Sequence, residues 1–427
     1  MSTSVIEVRI WGRTAGAVAL DPATQCYAFE YDPGWRRSKI ELAPLMMPLS
    51  SRQPIFVFPA LGESFRRLPG LISDALPDDF GNTLIDAWMA EHGVSRAEIT
   101  PLDRLAYTGR RSIGALEFRP TLGAQRESAH PLAMQSLVET ARDVVHGRLR
   151  GDQPAATALA NLIKVGTSAG GVRAKAVVAW NPQTQEIRGG QFNVAPGFQH
   201  WLLKFDGIGR DRDLGTPGGY GQIEYAYHLM ARAAGIEMTE CRLHHENGRA
   251  HFMTRRFDRA GNAKHHVQSL CALLHLDYQQ RATHAYEQLF IALRDLGLGR
   301  AAAEQAFRRM AFNVMGNNRD AHTKNFAFLL REGSDWELSP AYDVTHAHDP
   351  KSIWTAHHLL SVNGKFDGIG RADLLEVADR FTVPNAKDAL SDVEGALARW
   401  REFAAAAGLP EDRTNEIAAD FELVTKP

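Results

Sequence analysis

Phe312-Asn313-Val314-Met315-Gly316-Asn317-Asn318-Arg319-Asp320-Ala321-His322-Thr323-Lys324-Asn325, followed by Phe326-Ala327-Phe328-Leu329-Leu330, decides how the chain folds. Phe307, Met310, Ala311 and Val314 recur at intervals of three and four, so a helix runs to the region of Met315, and the apolar run after Asn325 reads as a strand. Between them lies a polar loop dense in side chains of catalytic type. Arg331 to Asp335 makes a turn, and Leu338-Ser339-Pro340-Ala341-Tyr342-Asp343 returns, which gathers Asp320, Asn325 and Asp343 at the mouth of a short hairpin. One carboxylate at a nucleophile and two oxygen ligands for Mg²⁺ form the group that phosphoryl transfer requires. Asp320 and Asn325 leave one loop together, so base and first metal ligand keep a fixed separation, and Asp343 arrives from the adjacent strand. The blander reading is that Asp320 caps a turn and Asn325 closes an Asx-turn.

Phosphoryl transfer also needs a cation at the phosphates. Lys204 ends the apolar run Trp201-Leu202-Leu203, where a charge either points into a site or snorkels at an edge. Glu224 follows twenty residues later, near the start of a helix that spaces Ile223, Tyr227, Met230 and Ala231 on one face. A strand lysine paired with a glutamate on the next helix holds the α- and β-phosphates in protein kinases. The rival for Glu224 is an ordinary first-turn carboxylate favoured by the helix dipole. Upstream, Val165-Gly166-Thr167-Ser168-Ala169-Gly170-Gly171-Val172-Arg173-Ala174-Lys175 precedes the strand Ala176 to Trp180. Such a glycine-rich loop can turn backbone N–H groups toward an anion, and it equally fits a plain hairpin turn.

The chain begins with short β-favouring runs, Val5 to Trp11, Ala17 to Leu20 and Tyr27 to Tyr31, which read as a small antiparallel sheet. Leu84, Trp88 and Met89 suggest a helix, and a strand at Ala115 to Phe118 closes an N-terminal domain near Pro120. Helix formers dominate from Leu132 to Val145. Cys241 to His244 and Ala250 to Arg256 read as a hairpin turning at Asn247-Gly248. After Gly261 the chain reads as helical, with Val267, Leu270 and Leu274 on one face, and it is helical again beyond residue 370.

With 427 residues, 44% apolar and 23% charged, the chain has the balance of a folded globular protein of two to three domains. Lys plus Arg number 48 against 50 for Asp plus Glu, which excludes a strongly basic nucleic-acid wrapper. Cys26, Cys241 and Cys271 lie too far apart in sequence for a paired metal-ligand spacing, so neither a disulfide framework nor a zinc site is expected. The early charges Glu7 and Arg9 do not suit a signal peptide, and no 18 apolar residues run together, so the expectation is a cytoplasmic protein with no membrane span.

Gly-Asn-Asn-Arg-Asp-Ala-His-Thr-Lys-Asn (316–325), Ser-Pro-Ala-Tyr-Asp-Val (339–344), Arg-Arg-Phe-Asp-Arg (255–259) and His-Val-Gln-Ser-Leu (266–270) resemble strings of the HipA family, the serine/threonine kinase toxins of bacterial type II toxin–antitoxin modules. Gly114 to Pro120 is similar to the end of that family's N-terminal domain, and Asp74 to Gly81 to its interior. The resemblance implies an α+β, two-lobe protein kinase fold with a small N-terminal β-containing domain and a mostly helical C-terminal lobe. The spans expected are 1–120 for the N-terminal domain, 121–257 for the nucleotide-binding lobe and 258–427 for the helical lobe. It also implies ATP and Mg²⁺ as cofactors, Asp320 as the catalytic aspartate and Asn325 and Asp343 as metal ligands. Lys204 matches the phosphate lysine. Met253 to Phe257 matches the segment linking the lobes, which brings Arg256 and Phe257 to the adenine. Gly170, Gly171 and Lys175 of the phosphate loop, Glu224, and His322 and Lys324 of the catalytic loop complete the cofactor-binding set.

Ser168 falls where family members carry a regulatory serine that they phosphorylate on themselves, expelling the loop and switching the enzyme off. Family members phosphorylate aminoacyl-tRNA synthetases, block charging and induce dormancy; a small helix-turn-helix antitoxin of the HipB type neutralises them and brings DNA into the complex indirectly. The loop departs from the commonest pattern, with Arg173 and Ala174 where the family's namesake has Gln and Glu, but it retains Lys175. Arg255 stands where the namesake has an acidic residue. Adjacent histidines such as His244-His245, His265-His266 and His357-His358 diverge in direction and form no metal pocket. His266 reads as packing, and His322 as a group that orients the loop. Two further readings remain open at this point: a small-molecule or lipid kinase of the same fold, and a DNA-associated corepressor subunit with little catalysis.

Overall fold

The structure, a computed structural model, describes residues 3–77, 79–122, 141, 174–206 and 219–421. The helix expected over Leu132 to Val145 and the glycine-rich loop with Ser168, Gly170 and Gly171 lie outside them. The chain forms two compact units. The first comprises Met1–Gly218, His244–Gln268 and Leu330–Ser334, and the second Gly219–Leu243, Ser269–Leu329 and Asp335–Pro427. Both are discontinuous, whereas the sequence suggested three consecutive spans.

In the first unit, an antiparallel sheet runs in the order Ile55–Phe56, Cys26–Tyr31, Arg13–Asp21, Val5–Ile10, Leu116–Arg119. Alternation within Val5–Ile10 buries Ile6, Val8 and Ile10 and leaves the intervening residues on the other face. A second sheet runs in the order Ile187–Gly189, Lys175–Trp180, Gln199–Lys204, Arg249–Arg255, Cys241–Glu246. Every residue of Lys175–Trp180 is buried, so that strand is covered on both faces. Ala176, Val178 and Trp180 join Trp201 and Leu203 in one core with Phe80, Leu84, Ile85 and Met89 of the helix Asp79–Glu91.

A buried ionic cluster joins two of the sequence strings noted above. Arg256 donates through Nε to Asp258 Oδ1 at 2.8 Å and through Nη2 to Oδ2 at 2.6 Å. Arg259 reaches Oδ2 at 2.6 Å and also donates to the Gly114 carbonyl at 3.1 Å. The Gly114 N–H returns a bond to Asp258 Oδ2 at 2.8 Å. Gly114 has φ +78°, and a Cβ there would lie 3.1 Å from the Val267 nitrogen, so both torsion and space favour glycine. Burial alone would raise the Asp258 carboxyl, but Arg256, Arg259 and the Gly114 N–H hold it well below the ordinary carboxylate range. Beside it, burial pushes the Lys264 amine down to about 8 although Glu117 lies 2.9 Å away.

The helix expected from Val267 is corrected. His266–Ser269 is a strand, burying His266 and Gln268 and leaving Val267 partly exposed, and the helix begins only at Leu270. The Ser269 hydroxyl accepts the Ala272 N–H at 3.2 Å, an N-cap that starts the helix there. The spacing of three and four seen from Val267 fits a helix, but a β-branched residue between two inward polar groups suits a strand. The second unit is mostly helical, with Tyr220–Ala233, Arg300–Met315, Ala386–Ala398 and Trp400–Ala406 among its helices. Among the described residues no helix is long and apolar enough to cross a membrane.

Removing one partner from the ionic cluster leaves buried guanidinium groups uncompensated, whereas the cluster as a whole contributes little net stability. Asp258→Ala should therefore destabilise the chain by about 3–5 kcal/mol. Urea unfolding compares it with wild type, and a loss under about 1 kcal/mol would mean that the arginines find other partners.

Candidate active site

The polar loop is built from its helix outward. Arg300–Met315 ends where the Gly316 N–H donates to the Phe312 carbonyl at 2.8 Å, and the buried Tyr227 hydroxyl donates to the Gly316 carbonyl at 2.5 Å. A Cβ on Gly316 would lie 2.9 Å from the Phe312 oxygen, which keeps the position open only to glycine. Asn317 takes φ +50°, a left-handed conformation that asparagine tolerates better than most residues. Its Oδ1 accepts Arg319 Nε at 2.8 Å, and Asn318 Nδ2 donates to Asn313 Oδ1 at 2.9 Å. These side chains are buried and anchor the backbone. Asp320, the next residue, is exposed.

After Asp320 the chain makes a short turn over Thr323–Asn325. Asn325 Oδ1 accepts the His322 N–H at 2.8 Å, and Asn325 Nδ2 donates to Asp343 Oδ2 at 3.1 Å. The turn-closing role and the contact with Asp343 thus coexist on one side chain. Asp343 itself takes φ +55°. The His322 ring accepts the Lys324 N–H at Nδ1, 3.2 Å away, which places its proton on Nε2 when the ring is neutral. Tyr342 donates its hydroxyl to the Lys324 carbonyl at 2.6 Å, and Lys324 Nζ lies 4.8 Å from the centre of the Tyr278 ring. Of the expected residues in this unit, the structure therefore brings Asn325 against Asp343 and sets Asp320, His322 and Lys324 on the same loop. Glu224 is buried at the fifth position of Tyr220–Ala233, beyond the first turn, so the dipole rival does not describe it.

In the first unit, Lys175 and Lys204 are directly opposed on neighbouring antiparallel strands and are 3% and 8% exposed. Opposed residues share a face, so two buried ammonium groups stand on one side of the sheet. Lys204 Nζ also sits 5.8 Å from the centre of the Phe252 ring. Arg256, expected near adenine, donates its backbone N–H to the His200 carbonyl at 2.9 Å and its guanidinium to Asp258. Those donors are committed within the unit; Phe257, beside it, is partly exposed.

Sequence reasoning did not single out Tyr227 as an anchor, nor the functions of Asn317, His346 and Asp420. Asn317 Nδ2 donates to the Asp420 carbonyl, and His346 Nε2 lies 2.9 Å from Asp420 Oδ2. Burial lowers the pKa of His346, with Asp420 opposing. The only local signal was the run Gly316-Asn317-Asn318, a composition suited to a special backbone.

A β-rich N-terminal part, a five-stranded sheet bearing buried lysines and a mostly helical second part with an Asp/Asn loop are the features of a two-lobe kinase-like fold. The HipA N-terminal domain family matches residues 6–119, and the HipA-like C-terminal domain family matches residues 167–426. The chain belongs to the HipA family. In fold it is similar to the HipA chain of a Shewanella oneidensis MR-1 toxin–antitoxin complex of HipA, HipB and operator DNA, at TM-score 0.69 and 17% identity, covering 97% of this chain and 94% of that one. A Helicobacter pylori proinflammatory kinase, CtkA, aligns at TM-score 0.34 and 12% identity over 52% of this chain and 88% of that one. No curated protein matches the sequence significantly.

Two ammonium groups on one sheet face suit a polyanion. Inorganic tripolyphosphate should raise the thermal midpoint of the wild-type chain, by the equivalent of about 2.7 kcal/mol at a hundred times its dissociation constant. Lys204→Met should lose most of that shift in differential scanning fluorimetry, and an equal shift in the variant would place the anion elsewhere.

Proposed function

We propose that the protein is a cytoplasmic, ATP- and Mg²⁺-dependent serine/threonine protein kinase toxin. The single observation that carries the reading is the contact of Asn325 with Asp343 on the loop that also presents the exposed Asp320. The donor set suits magnesium, which favours oxygen ligands and keeps waters and phosphates in its shell. Asp343 offers a carboxylate, and the Asn325 amide oxygen retains a lone pair beyond the bond from His322. Among the described residues no group of three or more His, Cys, Asp or Glu side chains could hold a metal.

In this reading Lys175 and Lys204 bind the phosphates of ATP, and Ser168, Gly170 and Gly171 of the glycine-rich loop belong to the same binding set. Asn325 and Asp343 would hold magnesium, which would supply positive charge against the negative charge that develops on the transferred group. The turn that bonds Asn325 to His322 fixes where that amide points. Asp320 accepts the proton of the acceptor hydroxyl and orients its oxygen toward the γ-phosphorus. His322 and Lys324 hold the loop that carries both groups.

The acceptor is a protein, and the family resemblance favours an aminoacyl-tRNA synthetase whose modification arrests translation. The partner is a HipB-like helix-turn-helix antitoxin, through which the kinase meets DNA; the presence of HipB and operator DNA in the Shewanella complex supports this. Ser168 is the site of inhibitory self-phosphorylation, because a phosphate there brings about −1.5 to −2 charges into the space that receives ATP's own anions.

Asp320→Asn should reduce phosphate transfer from Mg-ATP by about 10³-fold or more while ATP binding by calorimetry stays within a factor of three, since the carboxylate acts at the acceptor. Phosphoproteomics of cells expressing the two forms identifies the acceptor, and peptide mass spectrometry reads the 165–175 segment. Undiminished transfer by the variant would remove Asp320 from the chemistry; phosphate appearing on lipid or small molecules and on no protein would favour the alternative kinase reading. Asp343→Ala should abolish the magnesium-dependent part of ATP binding, measured with and without Mg²⁺. Unchanged dependence would move the metal away from Asp343.

A further inference from the structure

Asp420 closes the last described helix of the second unit, Glu411–Ala419. A carboxylate is poorly suited to that place, because a helix C-terminus carries partial negative charge and unsatisfied carbonyls that accept hydrogen bonds and do not donate them. The Asp420 side chain instead faces two histidines from a distant segment. His346 Nε2 lies 2.9 Å and His348 Nδ1 3.1 Å from its Oδ2. Its backbone carbonyl accepts the Asn317 side-chain amide. One residue therefore holds the chain three positions before Asp320 and, through the histidines, the chain three and five positions after Asp343.

These two segments are also bonded to each other. The Ala347 N–H donates to the Asn317 carbonyl at 3.0 Å, and the Arg319 N–H donates to the Ala347 carbonyl at 3.1 Å. Asn318 and Ala347 form an isolated parallel bridge. A single bridge is too short to hold its own register, so side-chain braces on either side determine whether it persists. Asn317 is fully buried and His346 nearly so, with the His346 ring 6.4 Å from the buried Tyr227 ring, whose hydroxyl bonds the Gly316 carbonyl. The aromatic ring of Phe421 packs 5.8 Å from Trp400, which anchors the chain just past Asp420.

We propose that Asp420 is a positioning residue for phosphoryl transfer, clamping the segment that carries Asp320 to the segment that carries Asp343 through Asn317, His346 and His348. The inference rests on the kinase reading above. It concerns the groups assigned to the acceptor and to magnesium, not those assigned to the phosphates. Loss of Asp420 therefore lowers turnover and weakens magnesium activation, with little effect on apparent ATP affinity at saturating Mg²⁺.

The test uses the full chain with γ-labelled ATP, Mg²⁺ and myelin basic protein as a generic acceptor, alongside transfer to the chain itself. Asp420→Asn keeps the shape of the side chain and removes its charge. It should lower kcat about tenfold and raise the Mg²⁺ midpoint about threefold, with KM for ATP within twofold, since small misplacements of reacting groups cost rate steeply. Asp420→Glu should recover most of the rate. His348→Gln, at a position 19% exposed and so tolerant of change, should move both quantities in the same direction by a smaller amount. A double variant should lose less than the product of the two single losses, because both remove one contact. The proposal is overturned by wild-type kcat and Mg²⁺ midpoint in folded Asp420→Asn or folded His348→Gln, as judged by thermal unfolding. It is also overturned if Asp420→Asn merely lowers the folded fraction, with unchanged kinetics per folded molecule. A wild-type chain that transfers no phosphate to either acceptor overturns the kinase reading and this inference with it.

Discussion

Two backbone hydrogen bonds, from Ala347 N–H to the Asn317 carbonyl and from Arg319 N–H to the Ala347 carbonyl, join the chain just before Asp320 to the chain just after Asp343. Asp320 follows this junction directly, and Asp343 precedes it by a few residues. Each bond adds only about 0.5–1.5 kcal/mol net, but a buried group left without its partner costs about 1–3 kcal/mol. The junction is therefore held by the penalty for breaking it more than by the gain from making it. Asn313, Asn317, Asn318 and Arg319 are all buried and all bonded, so that the next residue, Asp320, can emerge from a rigid backbone into an exposed position. The left-handed torsions of Asn317 and Asp343, at +50° and +55°, belong to the same arrangement. Non-glycine residues persist in such torsions where surrounding structure determines them, and such residues gather at functional sites.

The first unit shows a different balance between stability and use. Its Arg256, Asp258 and Arg259 cluster is fully paired and ties Gly114 to the strand segment beyond Arg255. Pairing of this kind specifies which segments meet and contributes little to net stability. Lys175 and Lys204 stand opposed with the same sign of charge on one sheet face. Like charges directly across a strand pair disfavour the fold. Removing one partner of such a buried charge is costly, so the surroundings of both lysines matter to the sheet.

How much of this was legible follows from how far each residue's partners lie along the chain. Asp320, Asn325 and Asp343 were readable because one loop and one hairpin bring them together, within twenty-four positions. Lys204 was readable as a charge ending an apolar strand. Asn317 had no reading of its own apart from the loop string, because its partner Asp420 is 103 positions away and no local pattern announces it. The strand at His266–Ser269 read as a helix because Val267 stands at helical spacing from Leu270 and Leu274, which do lie on the helix that follows, and the decisive features, inward-facing His266 and Gln268, are visible only once a core exists. Glu224 lies near the start of its helix, as the sequence suggested, but past the first turn that its dipole rival required. Its helix begins at Tyr220 with no side-chain cap to mark the start, so the sequence did not show that Glu224 lies past the first turn.

Asn325 shows why the plain and the functional readings of a polar loop need not exclude each other. A carboxylate in its place could accept the His322 N–H but could not donate to Asp343, and would set two negative oxygens against each other. An alanine would lose both bonds. The amide accepts on one side and donates on the other through two different atoms, which fixes its plane from both ends. The turn that gives Asn325 its structural role is therefore the device that aims its oxygen. A second lone pair on that oxygen remains for a hard cation without dismantling the turn.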